Sequence, residues 1–284
     1  MNAPFHLPGS SGVDLAAMEI AACAVRALHL EVDTYPKPGL VSPVDAGAHA
    51  DMDAALLRHS ANVLGPYFAD LAAAGAAGAK MNRLRIIGIE AERAMLHATG
   101  GVNTHRGAIF GLGLLVAAAG FRSSYGGTAE LGRIVADRWG DAILSGPVSL
   151  RSHGAEARRR YGAGGARMEA ASGFPSVYDV ALPALAEGEL LAPGEPEAAR
   201  VHACFALIAT IMDTNLLHRG GSAGLAFARG EAETFLAGGG VGAPQWQQKA
   251  VAAHVAFIAR NLSPGGAADI LAMALFVRAI EYRR

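Results

Sequence analysis

The chain has 284 residues, of which 52% are hydrophobic and only 17% charged, against about 25% charged in an average globular domain. This excludes a disordered chain, which needs low hydrophobicity and high charge, and the length is enough to bury a sizeable core. Lys plus Arg total 24 and Asp plus Glu total 25, so no global positive field is available for non-specific nucleic-acid binding. A mean hydropathy of +0.27 raises the question of membrane spans. The clearest uncharged stretch, Gly107 to Phe121, has 15 residues, short of the ~20 that a spanning helix needs. The opening MNAPFHLPGSSGVD lacks a basic n-region and an apolar h-region, so no signal peptide is expected. Cys23 and Cys204 are the only cysteines. They point to a reduced, cytoplasmic setting without a disulfide framework.

Leu15, Met18, Ala22, Val25, Leu28 and Val32 recur at steps of three or four and mark one face of a first helix. Ser11 and Asp14 offer it a capped start. Tyr35-Pro36-Lys37-Pro38-Gly39 ends it, because proline blocks continuation. Leu57, Ala61 and Leu64 start a second helical face, which Pro66 interrupts or kinks. Leu84, Ile87, Ala91, Met95 and Ala98 make a third, closed by Gly100-Gly101. Asn103 or Thr104 can cap the apolar helix that follows. Leu131, Ile134, Val135 and Arg138 indicate an amphipathic helix. Positions 145–178, rich in Gly, Ser and Arg, read as irregular, with room for one short helix. Pro193-Gly194-Glu195-Pro196 makes a turn before a long helix through Ile211. Pro244 starts another helix, to Arg260, and Ser263-Pro264 read as N-cap and N1 of the last one. Strand alternation is not found. The expected architecture is an all-α, single-domain helical bundle with Gly/Pro-rich loops, residues 1–12 forming a tail and 13–284 the domain.

Five polar segments break the apolar pattern, each with Gly or Pro near a helix end. In the first, Lys37 stands between two prolines, and GAHADMD follows with His49, Asp51 and Asp53. A Pro-Gly turn is most often only a turn, and an N-cap is the plain reading of Asp51. The second, GVNTHRG, sets Asn103, His105 and Arg106 at a helix start, where unpaired amides and the dipole favour an anion. Glu90 lies on the preceding helix, and a solvated carboxylate is its plain reading. In the third, Arg158, Arg159 and Arg160 precede ARMEAASGFP with Glu169. Adjacent arginines are usually a solvated face, although beside a glycine-rich loop they can meet phosphates.

The fourth, DTNLLHRGG, opens on Asp213 at the end of an apolar helix and carries His218 and Arg219. The dipole disfavours a carboxylate at a helix C-terminus. Metal binding and a buried hydrogen bond explain Asp213 equally well. The fifth, ARNLSPGGAAD, places Gly265-Gly266 at a helix start, which permits close approach of a ligand. A plain capped helix explains it as well. His153, His202 and His254 stand apart from these loops and read as structural or surface residues. There is no Walker A motif, no GxGxxG after a strand, no GxSxG, no HExxH and no CxxC. Loops that gather carboxylates, Lys, Arg and His suit a Mg²⁺-assisted site for a phosphorylated ligand, because Mg²⁺ commonly binds through a few carboxylates plus substrate phosphates.

Taken together, PKPGLV, GAHADMD, GVNTHRGAIFGLGLL, EAASGFPSV, DTNLLHRGG and ARNLSPGG resemble the triphosphoribosyl-dephospho-CoA synthases, from Met18 to Arg278. EVDTYPKPGLVSPVDAGAH is most similar to the branch serving malonate decarboxylase. The sister branch serves citrate lyase and often carries Asp where this chain has Ser42. The resemblance implies that ATP and 3′-dephospho-CoA give 2′-(5″-triphosphoribosyl)-3′-dephospho-CoA and adenine. A separate transferase then attaches the product to an acyl-carrier subunit. It also implies inversion in a single displacement, with a base for the acceptor hydroxyl and a proton for the leaving adenine.

On this resemblance, Lys37, Asn103, His105, Arg106, Arg219 and Ser263 are expected to bind phosphates. Asp51, Glu90 and Asp213 are expected to hold Mg²⁺. Glu169 or Asp213 would act as base or stabilise the developing cation, and His49 and His218 would be proton donors to adenine. Neither nucleic acid nor a membrane is expected as a partner, and the Ala-rich surface allows a homodimer. Two other classes stay open. One is a Mg²⁺-dependent helical phosphotransferase or ATPase, the other a non-catalytic helical assembly factor.

Overall fold

Small residues decide how closely the helices of this chain pack. The computed structural model describes residues 10–147 and 165–282, with side chains from Leu15 onward, and the regular elements among them are all helical. In chain order they are α1 (Ser10–Val32), α2 (Ala54–Val63), α3 (Gly65–Ala76), α4 (Met81–Ala98), α5 (Arg106–Tyr125) and α6 (Leu131–Ser145). Then come α7 (Gly165–Ala171), a π-helical turn (Ser176–Ala181), α8 (Leu182–Leu191), α9 (Pro196–Thr210) and α10 (Thr214–Ala237). A 3₁₀ turn (Gly240–Gly242), α11 (Trp246–Ala259) and α12 (Gly265–Glu281) complete the chain. The all-α expectation holds. The first helix starts at Ser10, inside the stretch expected as tail, and the side chains of its expected Ser11–Asp14 cap lie outside the described residues. So do His153 and Arg158 to Arg160. The described part of 145–178 is more regular than expected, since it holds α7 and the start of the π turn.

Local chemistry explains the boundaries. Asp53, not Asp51, caps α2 by accepting the Leu56 N–H at 2.8 Å. Pro66 does not kink a continuing helix: it sits in the first turn of α3, where its missing N–H costs nothing. Asn103 Oδ1 accepts the Arg106 N–H at 3.2 Å and starts α5. Gly100 and Gly101 take positive φ and close off α4. The last helix starts at Gly265, later than the expected Ser263-Pro264 pair, because the Ser263 hydroxyl is turned to His49.

Helix α5 is the centre of the bundle. From Ala108 to Gly120 nearly every residue is buried, and it packs against α1, α3, α6 and α12. It is long and apolar enough to cross a membrane, yet 67% of its apolar window is buried inside the fold, as in a core helix. Its contact with α3 is backbone to backbone. A Cβ at Gly75 would lie 1.8 Å from the Ala117 carbonyl oxygen, and one at Gly120 would lie 2.0 Å from that of Ala72. A hydrophobic cluster running from Ala17 to Val277 ties these helices to α9, α10 and α11.

His105 corrects the sequence expectation of a phosphate-binding cation. It occupies the cap position of α5 but turns its ring into the core, only 5% exposed. Its Nδ1 lies 2.9 Å from Ser60 Oγ, and its backbone N–H meets Met95 Sδ at 3.2 Å. Nε2 meets no hydrogen-bond partner among the described residues. Burial, and then the charge of His29, push its pKa down to about 4. The ring is neutral at pH 7 and offers a phosphate no charge.

Two predictions follow from this packing. Gly120→Ala should lower unfolding stability in urea by about 1–3 kcal/mol, because a backbone oxygen stands where the methyl must go. Gly88→Ala in α4, where nothing lies within 4 Å, should instead gain up to about 1 kcal/mol. The second concerns pH. The folded pKa of His105, about 4, is below its ordinary 6.5, so the unfolded chain binds more protons between these values. The stabilisation is full above pH 6.5 and is lost as pH falls towards 4. Between pH 7 and pH 5, His105→Gln should therefore lose about 2 kcal/mol less than the parent chain in urea titrations.

Candidate active site

Four of the motif loops meet at one end of the bundle. The loop after α1 closes on the loop before α12 so tightly that a Cβ at Gly39 would lie 2.0 Å from the Leu262 carbonyl oxygen. The chain then returns on itself, with the Ala48 N–H bonded to the Gly39 carbonyl at 3.0 Å. His254 on α11 braces this loop: its Nε2–H donates to Asp45 at 3.0 Å, and Nδ1 lies 2.7 Å from the Lys37 carbonyl oxygen. It is structural, as expected, but it does not stand apart from the motif loops.

Lys37 is wholly buried. The prolines on either side do fix its direction, but inward. Its Nζ donates to both the backbone carbonyl and the carboxylate of Glu31. Its charge is neutralised there, so the expected phosphate contact is corrected to a buried ion pair. Arg106 is also committed elsewhere. It is exposed and paired with Glu92 at 2.6 Å, and Asn103 nearby is exposed and accepts the Arg106 N–H.

Arg219 behaves differently. Its Nη1 donates to the Ala48 carbonyl at 2.7 Å and to Asn261 Oδ1 at 3.0 Å, and Nη2 lies 3.2 Å from His49 Nδ1. Among the described residues no carboxylate comes within ion-pair distance of it. Arg219 Nη2 also lies 3.4 Å from His49 Nε2, which is 2.9 Å from Ser263 Oγ. Asp51 Oδ1 lies 3.4 Å from the same ring. Burial first, then the Arg219 charge, hold the His49 pKa below its ordinary value against the pull of Asp51. Burial and the Arg219 charge thus disfavour the protonated ring, the form with most acid to give to adenine. His218, the other expected donor, is exposed. Next to this cluster lies an open cleft of about 640 Å³ lined by His49, Asp51, Met52, Asp53, Leu56 and His59.

The carboxylates are distributed otherwise than expected. Asp213 is buried in the short link between α9 and α10, two helices bent 59° to each other. Its Oδ1 accepts from the Asn215 and Leu216 N–H groups at 2.7 and 3.2 Å, and Oδ2 from Ala267 at 3.0 Å. Burial pushes its pKa up while these amides and Gly266 pull it down. The buried-hydrogen-bond explanation of this residue therefore applies, its two oxygens accepting from amides at the starts of two helices. Glu169 accepts the Ser176 N–H at 2.7 Å and holds the turn into the π segment. Burial is the main cause of its raised pKa. Glu90 is exposed on α4. Among the described residues no three His, Cys, Asp or Glu side chains are placed to hold a metal ion. Asp51, Glu90 and Asp213 thus do not form a metal cage.

Two carboxylates escaped the sequence reading. Glu31 lies six positions before Lys37 across a proline turn, a spacing without a periodic signal. Asp269 on α12 faces Gly107 at the start of α5. Its signal was its place just after the paired glycines of the fifth segment. Burial first, then the carboxylates of Glu31 and Asp213, push its pKa up to about 8, against the Ala108 N–H.

Residues 17–284 match the family model described as ATP:dephospho-CoA triphosphoribosyl transferase. The chain is 42% identical over 270 residues to the probable 2-(5''-triphosphoribosyl)-3'-dephosphocoenzyme-A synthase of Pseudomonas putida, covering 92% of this chain and 94% of the relative. It is 40% identical over 271 residues to the 2-(5''-triphosphoribosyl)-3'-dephosphocoenzyme-A synthase of Pectobacterium atrosepticum, covering 90% and 87%. The probable synthase of Acinetobacter calcoaceticus is 37% identical over 270 residues, covering 94% and 92%. No solved structure matches. The match runs through every motif loop that meets around Arg219 and Asp213, and the chain belongs to the ATP:dephospho-CoA triphosphoribosyl transferase family, a family of transferase enzymes.

Proposed function

We propose that the chain transfers the 5-triphosphoribosyl group of ATP to the 2′-hydroxyl of 3′-dephospho-CoA with release of adenine. The observation that supports this most directly is Arg219. It is a cation held by neutral acceptors where three motif loops meet, with no carboxylate in ion-pair range among the described residues. A guanidinium so placed suits phosphate oxygens, which it binds through charge-assisted hydrogen bonds. Ser263, His49 and Asp51 stand beside it.

In this reaction the bond from ribose C1′ to adenine N9 breaks and its electron pair leaves with the base. The 2′-oxygen of the acceptor bonds to C1′, its proton is lost, and adenine gains one. No phosphoryl bond breaks, so cations here hold and screen the triphosphate. Among the described residues no three His, Cys, Asp or Glu side chains group around one point, which suits Mg²⁺ held by few carboxylates and mostly by phosphates. It would enter with the substrate, bound mainly by the phosphates, and Asp51 at the open rim is a carboxylate that could receive it. The product serves the acyl-carrier subunit of malonate decarboxylase through a separate transferase, in the cytoplasm. The similarity of EVDTYPKPGLVSPVDAGAH to that branch supports this carrier.

With ATP and dephospho-CoA, the purified chain should release one adenine for each coenzyme that gains a triphosphoribosyl mass. Release of ADP or phosphate in its place would support the phosphotransferase class. Arg219→Gln should raise KM for ATP by ~10–100-fold, as expected from losing a charged hydrogen bond of about 1.5–3 kcal/mol, with a smaller change in kcat. An unchanged KM would remove Arg219 from the phosphate site.

A further inference from the structure

We propose that the cleft beside His49 is a subsite for a 6-aminopurine ring, with Asp53 accepting its amino group. The inference rests on the transfer reaction proposed above and adds a specificity-determining residue to it.

The first argument is placement. The loop before α2 and the first turns of α2 line the cleft of about 640 Å³. From the loop comes His49, whose Nδ1 lies 3.2 Å from Arg219. From α2 come Ala55, Leu56 and His59, whose spacing places them on one helix face. Asp53 caps the same helix six positions before His59, a span of about 9 Å along a helix. A nucleotide whose phosphates meet Arg219 thus has the wall of α2 within reach of its base.

The second argument is charge. Asp51 and Asp53 line the cleft, and no Lys or Arg does. Two carboxylates repel a phosphate, so the phosphates stay with Arg219. The part of the nucleotide that suits the cleft is the uncharged one. Met52, Ala55 and Leu56 offer it an apolar surface, and a methionine sulfur packs well against a ring.

The third argument is hydrogen bonding. Asp53 Oδ1 accepts the Leu56 N–H at 2.8 Å. The other oxygen of this exposed carboxylate has no hydrogen-bond partner among the described residues. A carboxylate only accepts, so its partner must donate. Adenine brings its 6-amino group. Hypoxanthine has a carbonyl oxygen at that position, which the carboxylate repels. ATP and dephospho-CoA both contain adenine, so the ligand chemistry is shared and the experiment separates the two sources.

The test compares ATP with ITP, and dephospho-CoA with its hypoxanthine analogue, by base release from the intact chain. For one of the two substrates, kcat/KM of the parent should favour the amino form by ~10–100-fold, as expected for a hydrogen bond to a charged group. In Asp53→Asn the side-chain oxygen keeps the cap, which Asn fills as well as Asp, and the amide N–H group turns to the cleft. The preference for that amino form should then vanish or reverse, through KM, while the ratio for the other substrate is kept. The substrate whose ratio moves is the one that the cleft holds. A parent without preference for either amino form overturns the subsite while base release still supports the reaction. So does a D53N enzyme that keeps both ratios, even with KM raised. Failure of the parent chain to release any base overturns the reaction itself. Should D53N not fold, Ala55→Phe decides: position 55 is exposed on α2, and the ring fills the cleft without touching the cap. It should raise KM for one substrate and not for the other, and an unchanged KM for both overturns the subsite.

Discussion

The carboxylate of Asp213 fastens the amino ends of two helices to each other, and the site is laid out around that fastening. One oxygen takes amides at the start of α10, the other an amide at the start of α12. A buried carboxylate without such partners would cost several kcal/mol. With them it fixes how two loops, distant in sequence, lie against each other. Arg219 follows on α10, Ser263 precedes α12, and both reach His49. The loop after α1 then closes over the pair through Gly39 and Leu262.

The composition of the chain makes this arrangement demanding. A bundle that buries long Ala-rich faces has little room for stray charge, and several charges in the motif loops are neutralised or suppressed where they stand. Lys37 is bound to Glu31, Arg106 to Glu92, and His105 is uncharged in the core. Arg219 is held by carbonyls, an amide and an imidazole, which orient it without neutralising it. A near-neutral protein thereby offers an anion a local positive charge in place of a global field.

Much of the fold was legible in the sequence. Apolar spacing marked α1 and α4 to within a few residues, Pro196 and Pro244 the starts of α9 and α11, and Pro66 and Gly100-Gly101 other helix limits. The motif loops were legible as segments, and four of them do meet. The destinations of individual side chains were not legible, because they depend on partners far along the chain. Lys37 points inward since Glu31 waits at the end of α1. His105 is buried since Ser60 and Met95 lie across from it. Asp213, at the end of one helix by sequence, is in space the cap of the next. Asp269 follows a glycine pair that marks a helix start, but the spacing does not show that its carboxyl meets Gly107 of another helix.

Where α3 and α5 touch, Gly75 and Gly120 let one backbone rest on the carbonyls of the other. No side chain stands between them to yield, so the spacing of these helices is set by the peptide chain itself. The amino end of α5, with Gly107 and its neighbours, is therefore mounted on a stiff frame. The protein divides into a chassis that keeps one wall of the site in register and loops, fastened by Asp213 and by Gly39 against Leu262, that bring His49 and Ser263 to the other.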